Sequence, residues 1–256
     1  MLTLGTMEKF QDRFFEEIRE NLKKLNIKAL FFDFDDTLIY TAEIFIKQME
    51  EYARVVAEET GLSYEVVDEY LTKFNDEGFK TLGVNPVRWK DTVGRMADQF
   101  PDHAEAMLRN IDILMKIYGE VPRVRPGAKA ILEILKTVGV KIVLVTHANV
   151  EWTWKKLADT GLGEYFDLIK IVDENKHKGA EDWLEAIEEM GILPGEALAM
   201  GDSLNGDVIP AASIGARTMW LHKGSTWSMY RTGEVPEDTV LLDEINQLLS
   251  ALEGLR

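Results

Sequence analysis

From Ala128 to His222 the sequence alternates between stretches of helical period and short apolar runs of strand length, and few folds accommodate that order. AKAILEILKTVG reads as a helix and VKIVLVTHA as a strand, EWTWKKLADTGLG as a helix and YFDLIKIVDE as a strand. KGAEDWLEAIEEMG, EALAMGDS, DVIPAASIG and RTMWLH continue the alternation as helix, strand, helix and strand. Strands joined through helices run parallel, and a parallel sheet is covered by helices on both faces. The earlier run Ile27 to Phe34 is apolar and ends in carboxylates, the character of another strand of that sheet. The prediction is an α/β fold with a doubly wound, Rossmann-like parallel sheet.

The segment from Thr41 to about Tyr118 has a different texture. Four stretches of mixed helical period are punctuated by Gly61, Gly78, Gly83, Pro86 and Pro101, with no strand of comparable strength among them. An inserted all-helical cap of three to five helices is expected over 41–120, with the α/β core formed by 1–40 and 121–256. Before the first strand, Phe10, Phe14, Ile18, Leu22 and Leu25 recur at steps of three or four, which predicts an amphipathic helix over 8–25 that packs on its own core. Ser228 to Pro236 reads as a loop and Leu241 to Leu255 as a closing helix.

Composition narrows the partners. With 46% hydrophobic and 29% charged residues, a packed core is expected rather than disorder. Lys and Arg number 29 against 45 Asp and Glu, a net charge of −16 that repels nucleic-acid backbones. A small anionic substrate is still admissible, because a metal ion and a few donors reverse the sign inside one pocket. The absence of cysteine removes disulfides, thiol nucleophiles and Cys-ligated zinc, and fits a cytoplasmic location. Charges throughout the first residues and the shortness of all apolar runs predict no secretory signal and no membrane span. Monomer and homodimer both stay open.

Ligands of open α/β sheets bind at the carboxyl ends of the strands. There the sequence places Asp33 and Asp35, two apart and facing the same way in extended chain. Thr146 ends the KIVLV strand, Lys178 opens a helix, and Gly201-Asp202-Ser203 ends another strand with Asp207 close behind. These residue types suit phosphoryl transfer. A carboxylate attacks phosphorus and divides one difficult step into two. Clustered Asp oxygens are ligands Mg²⁺ prefers, a second Asp exchanges protons, and a hydroxyl and an ammonium hold the remaining phosphoryl oxygens.

On these residues the chain resembles the haloacid-dehalogenase-like (HAD) hydrolases. Asp33-Phe34-Asp35-Asp36-Thr37-Leu38 resembles the first family motif, DxDxT[LV], Thr146 the second, Lys178 the third, and Gly201-Asp202-Ser203-Leu204-Asn205-Gly206-Asp207 the fourth, in the family's order. The resemblance implies a Mg²⁺-dependent phosphatase that hydrolyses a small phosphorylated metabolite through an aspartyl-phosphate on Asp33. Asp35 is then the general acid/base. Phe34, Thr146, His147 and Lys178 bind the phosphoryl group. Asp33, Asp35 (through its carbonyl) and Asp202 hold the metal, and Thr37, Ser203 and Asp207 support them. Asp35 favours phosphate chemistry, since dehalogenases of the family typically lack that second Asp. The chain departs from the pattern at Lys178-Gly179, where Lys-Pro is usual and Lys176 is an alternative lysine, and at Gly206, where Asn is common. A phosphomutase, a dehalogenase-like hydrolase and a non-catalytic phospho-Asp switch are the alternatives. A serine hydrolase is disfavoured, because Gly201 to Asn205 lacks the last Gly of G-x-S-x-G. Trp152 and Trp154, two apart on a presumed helix, cannot share a face, so one is expected to pack and the other to border the site. In the insert, Arg88, Trp89 and Lys90 are candidates to reach a substrate, although exposed helix surface is the commoner fate of such a trio.

Overall fold

In a computed structural model, which describes residues 4–224, 227–252 and 255, six strands form one sheet in the order β5-β4-β1-β6-β7-β8. They are β1 (Ala29–Phe32), β4 (Lys141–His147), β5 (Leu168–Val172), β6 (Ala197–Gly201), β7 (Arg217–Leu221) and β8 (Val240–Leu242), and every pairing is parallel. Strand order reverses at β1: the chain goes outward through β4 and β5, then returns to β6 on the other side of β1. The crevice at the carboxyl end of β1 is therefore the topological switch point, where open α/β sheets hold ligands.

Alternation along the strands divides the core into two layers. Leu30 and Phe32 of β1 face one side, with Ile18 and Leu22 of α1 (Leu4–Lys24) and Ile131, Leu132 and Leu135 of α7 (Ala128–Val138). Ala29 and Phe31 face the other, against Trp183, Ala186 and Ile187 of α9 (Ala180–Glu189) and Ala211 of α10 (Ile209–Ser213). The first helix thus packs through Ile18 and Leu22. Phe14 is 42% exposed, and the side chain of Phe10 lies outside the described residues.

The helical insert follows β2 (Ile39–Tyr40), which pairs antiparallel with β3 (Arg123–Val124) where the chain comes back. Between them lie α2 (Ala42–Thr60), α3 (Tyr64–Leu82), α4 (Val87–Gln99), α5 (Ala104–Arg109) and α6 (Ile111–Met115). Ser63 caps α3, its hydroxyl accepting from the Val66 amide, and Gly61 ends α2 with a left-handed φ of 76°. The insert has an apolar cluster of its own, including Tyr52, Val56, Leu71, Trp89, Val93 and Met96. Trp152 of α8 (Val150–Thr160) joins that cluster from the α/β part. Trp154, on the opposite face of α8, is half exposed.

The sequence-based expectation differs at the C-terminus. The start of the predicted closing helix is strand: Val240, Leu241 and Leu242 extend the sheet beside β7. Among the described residues of that stretch only Leu248–Ala251 (α11) is α-helical, after a turn in which the Gln247 side chain accepts from the Asp243 and Glu244 amides. The open edge of β7 has backbone groups to satisfy, and a β-compatible apolar triplet pairs with them in preference to helix. The ribbon of β2 and β3 was also not predicted, being too short to show an alternation. Among the described residues no helix is long and apolar enough to cross a membrane.

Phe31 is fully buried at the centre of the sheet. Phe31→Ala is expected to lower unfolding free energy by about 3–5 kcal/mol, read from urea denaturation midpoints.

Candidate active site

Three strand ends and one helix entry converge on a buried cluster. Asp33 follows β1 directly, its amide donating to the Met200 carbonyl at 2.9 Å so that the β1–β6 ladder continues beneath the carboxylate. Lys178, two residues before α9, reaches inward. Its Nζ lies 2.5 Å from Asp33 Oδ1 and 2.6 Å from Asp207 Oδ1, and donates to the Val145 carbonyl at 3.1 Å. The other lysine considered, Lys176, is an exposed residue paired with Asp182 at 3.2 Å, so Lys178 is the one that enters the cluster. The Trp183 ring, 5.3 Å from Nζ, lines the approach of Lys178.

Asp202 follows β6. Its carboxylate accepts from the Thr37 hydroxyl at 3.1 Å, while its amide donates to the same hydroxyl at 3.0 Å, which ties the β6 loop to the β1 loop. Asp207 folds back over β6, accepting from the Ser203 amide at 3.0 Å. A Cβ on Gly201 would lie 2.0 Å from Asp207 Oδ2, so only glycine fits under that carboxylate. The Ser203 hydroxyl accepts from the Gly206 amide and bonds Asn205 Oδ1, both at 3.0 Å. It is thus engaged in its own turn.

Asp33, Asp202 and Asp207 each bring a carboxylate oxygen within 4.8 Å of the others. Burial, opposed by Lys178, pushes the Asp33 carboxyl up to about 7. Burial and the charges of Asp33, Asp36 and Asp207 raise Asp202 well above the carboxylate range. Burial disfavours the Lys178 ammonium, but Asp207 and Asp33 outweigh it and hold its pKa raised. Three carboxyl groups meet one ammonium there, and the raised Asp33 and Asp202 show that their ionisation is resisted until further positive charge arrives. Hard oxygens so placed fit a divalent cation of the Mg²⁺ type.

The cluster floors a cavity of about 220 Å³. Of the residues predicted from sequence, Asp33, Asp35, His147, Lys178, Asp202, Ser203 and Asp207 line it. Phe34, Thr37 and Thr146 lie beneath. The Phe34 side chain belongs to the apolar core, and the fully buried Thr146 hydroxyl has no hydrogen-bond partner among the described residues. Asp35 turns toward the insert. Its Oδ1 accepts from the Thr41 hydroxyl and pairs with Lys156, whose ammonium lies over the Trp152 ring at 4.3 Å.

Two residues that sequence reasoning missed shape this corner. Lys156 is fully buried, and nothing in KKLAD distinguishes it from a solvated helix lysine. Asp36 adopts φ 57°, and its Oδ1 accepts from the Thr41 and Ala42 amides at 3.0 and 2.9 Å, holding the first turn of α2. Burial pushes its pKa up to about 7 against those bonds. Asp is among the few residues that enter the left-handed region readily, so a third Asp followed by Thr was a readable turn signal.

A parallel sheet carrying a carboxylate–lysine cluster at its switch point, with a helical insert after the first strand, defines a Rossmann-like hydrolase with an inserted helical segment. The chain belongs to the haloacid dehalogenase-like hydrolase family, whose sequence profile matches residues 27–215. A glyceraldehyde 3-phosphate phosphatase of Pyrococcus furiosus is 27% identical over 244 residues, covering 89% of this chain and 93% of that one. A phosphoglycolate phosphatase of Thiobacillus denitrificans is 30% identical over 190 residues, 71% of this chain and 77% of that one. Among solved structures, a HAD phosphatase from Thermococcus onnurineus superposes with a TM-score of 0.59 at 25% identity, covering 90% of this chain and 100% of that one. A haloacid dehalogenase-like family hydrolase from Xanthomonas campestris, 16% identical, shares the fold with a TM-score of 0.70 over 89% of this chain and 91% of that one.

His147 closes β4 at the cavity wall, its pKa pushed down to about 4 by burial and by the neighbouring charges of Lys178 and His177. A histidine neutral in the folded protein is protonated first in the unfolded chain, so it lowers stability as pH falls from about 6.5 toward 4, with no further loss below. Its share of that loss is at most about 3 kcal/mol. Denaturant midpoints measured across this window should fall less in His147→Asn than in wild type, and parallel curves would contradict the assignment.

Proposed function

We propose that the protein is a divalent-cation-dependent phosphatase of small phosphomonoesters, with Asp33 as covalent nucleophile. The observation that carries this reading is the buried Asp33–Lys178–Asp207 contact beside Asp202, three carboxyl groups around one ammonium. Asp33, Asp202 and the carbonyl of Asp35 are the groups that would hold Mg²⁺, with Asp207, engaged by Lys178 and the Ser203 amide, supporting them. Once bound, the ion supplies positive charge that offsets repulsion between carboxylate and phosphate.

Asp33 attacks phosphorus as the bond to the leaving oxygen breaks, and the leaving oxygen takes a proton from Asp35. A water then attacks the phosphorus of the aspartyl-phosphate and gives its proton to Asp35. The Asp33–phosphorus bond breaks, inorganic phosphate leaves and the carboxylate is restored. Lys178 neutralises charge on the phosphoryl oxygens as it accumulates. The Thr146 hydroxyl, buried without a partner among the described residues, is a donor in reserve for the same group. Thr41 and Lys156 both meet Asp35 at Oδ1, so Oδ2 is assigned to the leaving group. Because Thr41 immediately precedes α2, the acid/base is oriented partly by the insert that covers it.

The names of the relatives, glyceraldehyde 3-phosphate phosphatase and phosphoglycolate phosphatase, support a substrate class of small phosphorylated metabolites. The test is phosphate release from a panel of such esters with Mg²⁺, with EDTA, and with Asp33→Asn. Release is expected only with the metal, and Asp33→Asn should lower kcat by at least about 10³-fold. Free phosphate should match the alcohol formed. Phosphate returned to another position of the substrate would indicate a mutase, and metal-independent release would remove the cation from the scheme.

A further inference from the structure

Arg88 is a cation of the cavity that the acidic cluster does not explain. It stands in the first turn of α4, 5% exposed, and lines the same space as Asp33 and Lys178. Its Nη1 donates to the Gly83 carbonyl at 2.6 Å, and its guanidinium lies 5.5 Å from the Phe79 ring centroid. Gly78 makes room for its stem, since a Cβ there would sit 3.1 Å from Arg88 Cγ. Its Nε, fully buried, finds no acceptor among the described residues. Asp76 acts on the guanidinium through its field, together with Tyr118 and Tyr230. On the neighbouring helix α3, Asn75 also lines the cavity, with Oδ1 buried and unpartnered among the described residues.

A buried cation without a paired anion is costly, and an unmade hydrogen bond on the same group adds to that cost. Stacking and one carbonyl contact do not require a full charge at this position. The charge gains a purpose when an anion enters the cavity. With the phosphoryl group at Lys178, the anion that Arg88 meets belongs to the other end of the same ligand.

We propose that Arg88, with Asn75 beside it, is a specificity determinant that recognises a second oxyanion on the leaving group. Preferred substrates are then small phosphate esters that also carry a carboxylate or a second phosphoryl group. The proposal rests on the phosphatase reading above for which end of the ligand is which. The planar guanidinium fork presents parallel donors to either kind of oxyanion.

Phosphonates, whose carbon–phosphorus bond is not a substrate for ester hydrolysis, separate binding from turnover. Titration calorimetry with Mg²⁺ compares phosphonoacetate and methylenediphosphonate with ethylphosphonate, which lacks the second oxyanion. Wild type is expected to prefer at least one of the first two by tenfold or more, and the tighter of them identifies the oxyanion as carboxylate or phosphoryl. Arg88→Met should reduce that preference by about tenfold or more, to the point of erasing it. Arg88→Gln carries the same test should circular dichroism find the Met variant unfolded. The ratio of kcat/KM for 2-phosphoglycolate over ethyl phosphate should fall in parallel. A wild type without preference, or a preference that survives in the variant, overturns the proposal. Hydrolysis of neither ester together with an Arg88-dependent binding preference would instead sink the phosphatase reading and leave the anion site standing.

Discussion

An ammonium buried between two aspartates is the interaction on which the site depends. Lys178 is held by Asp33 from β1 and Asp207 from the turn after β6, and it also reaches the carbonyl of Val145 on β4. One side chain therefore pins three strand ends to one point. A buried ion pair gains little net stability over apolar packing, but loss of one partner leaves an uncompensated charge and is severe. The arrangement specifies geometry more than it adds stability. It also gathers three carboxyl groups at the sheet's carboxyl edge, in a chain whose net charge is −16.

The loop after β1 links that cluster to the insert. Asp36 takes up a left-handed conformation and caps the entry to α2, while Arg125, on the returning chain, bonds the carbonyls of Asp36 and Thr37. Thr37 in turn holds Asp202 at both amide and carboxylate. Thr41 at the insert's entry contacts Asp35, which Lys156 of α8 holds from the core side, and Arg125 at its exit contacts the Asp36 and Thr37 carbonyls. Chemistry and cover are thus connected by a few short polar contacts and by Trp152, whose ring packs with the insert while its indole donates to the Glu120 carbonyl.

The sheet was legible because its strands are buried on both faces. Runs such as KIVLV and ALFF, each followed by a polar strand end, leave little alternative to parallel pairing. The cluster was legible because it is built at those ends, so the order of Asp33, Lys178 and Asp202 along the chain already implied convergence. Lys156 was not legible: its burial follows from the packing of α8 under the insert, a tertiary fact with no local mark. Arg88 was visible only beside Trp89 and Lys90, because its burial depends on the space that Gly78, ten residues earlier, leaves for its stem. The strand at 240–242 went unread because three apolar residues before a polar stretch fit a helix start as well as a strand, and the vacant edge of β7 decided between them.

The pairing of Ile39 with Val124 and of Tyr40 with Arg123 sets the departing and returning chain side by side. Partners across an antiparallel ribbon stand only about 5 Å apart at their Cα atoms. To the sheet, the long excursion between them is therefore equivalent to a hairpin loop. Closing a longer loop adds entropy cost only logarithmically, about 0.6 kcal/mol per doubling of length. The core's register is accordingly indifferent to how many helices the excursion contains. A lineage could enlarge, trim or exchange that segment, and with it the shape of the chamber's roof, while the strand ends below kept their positions.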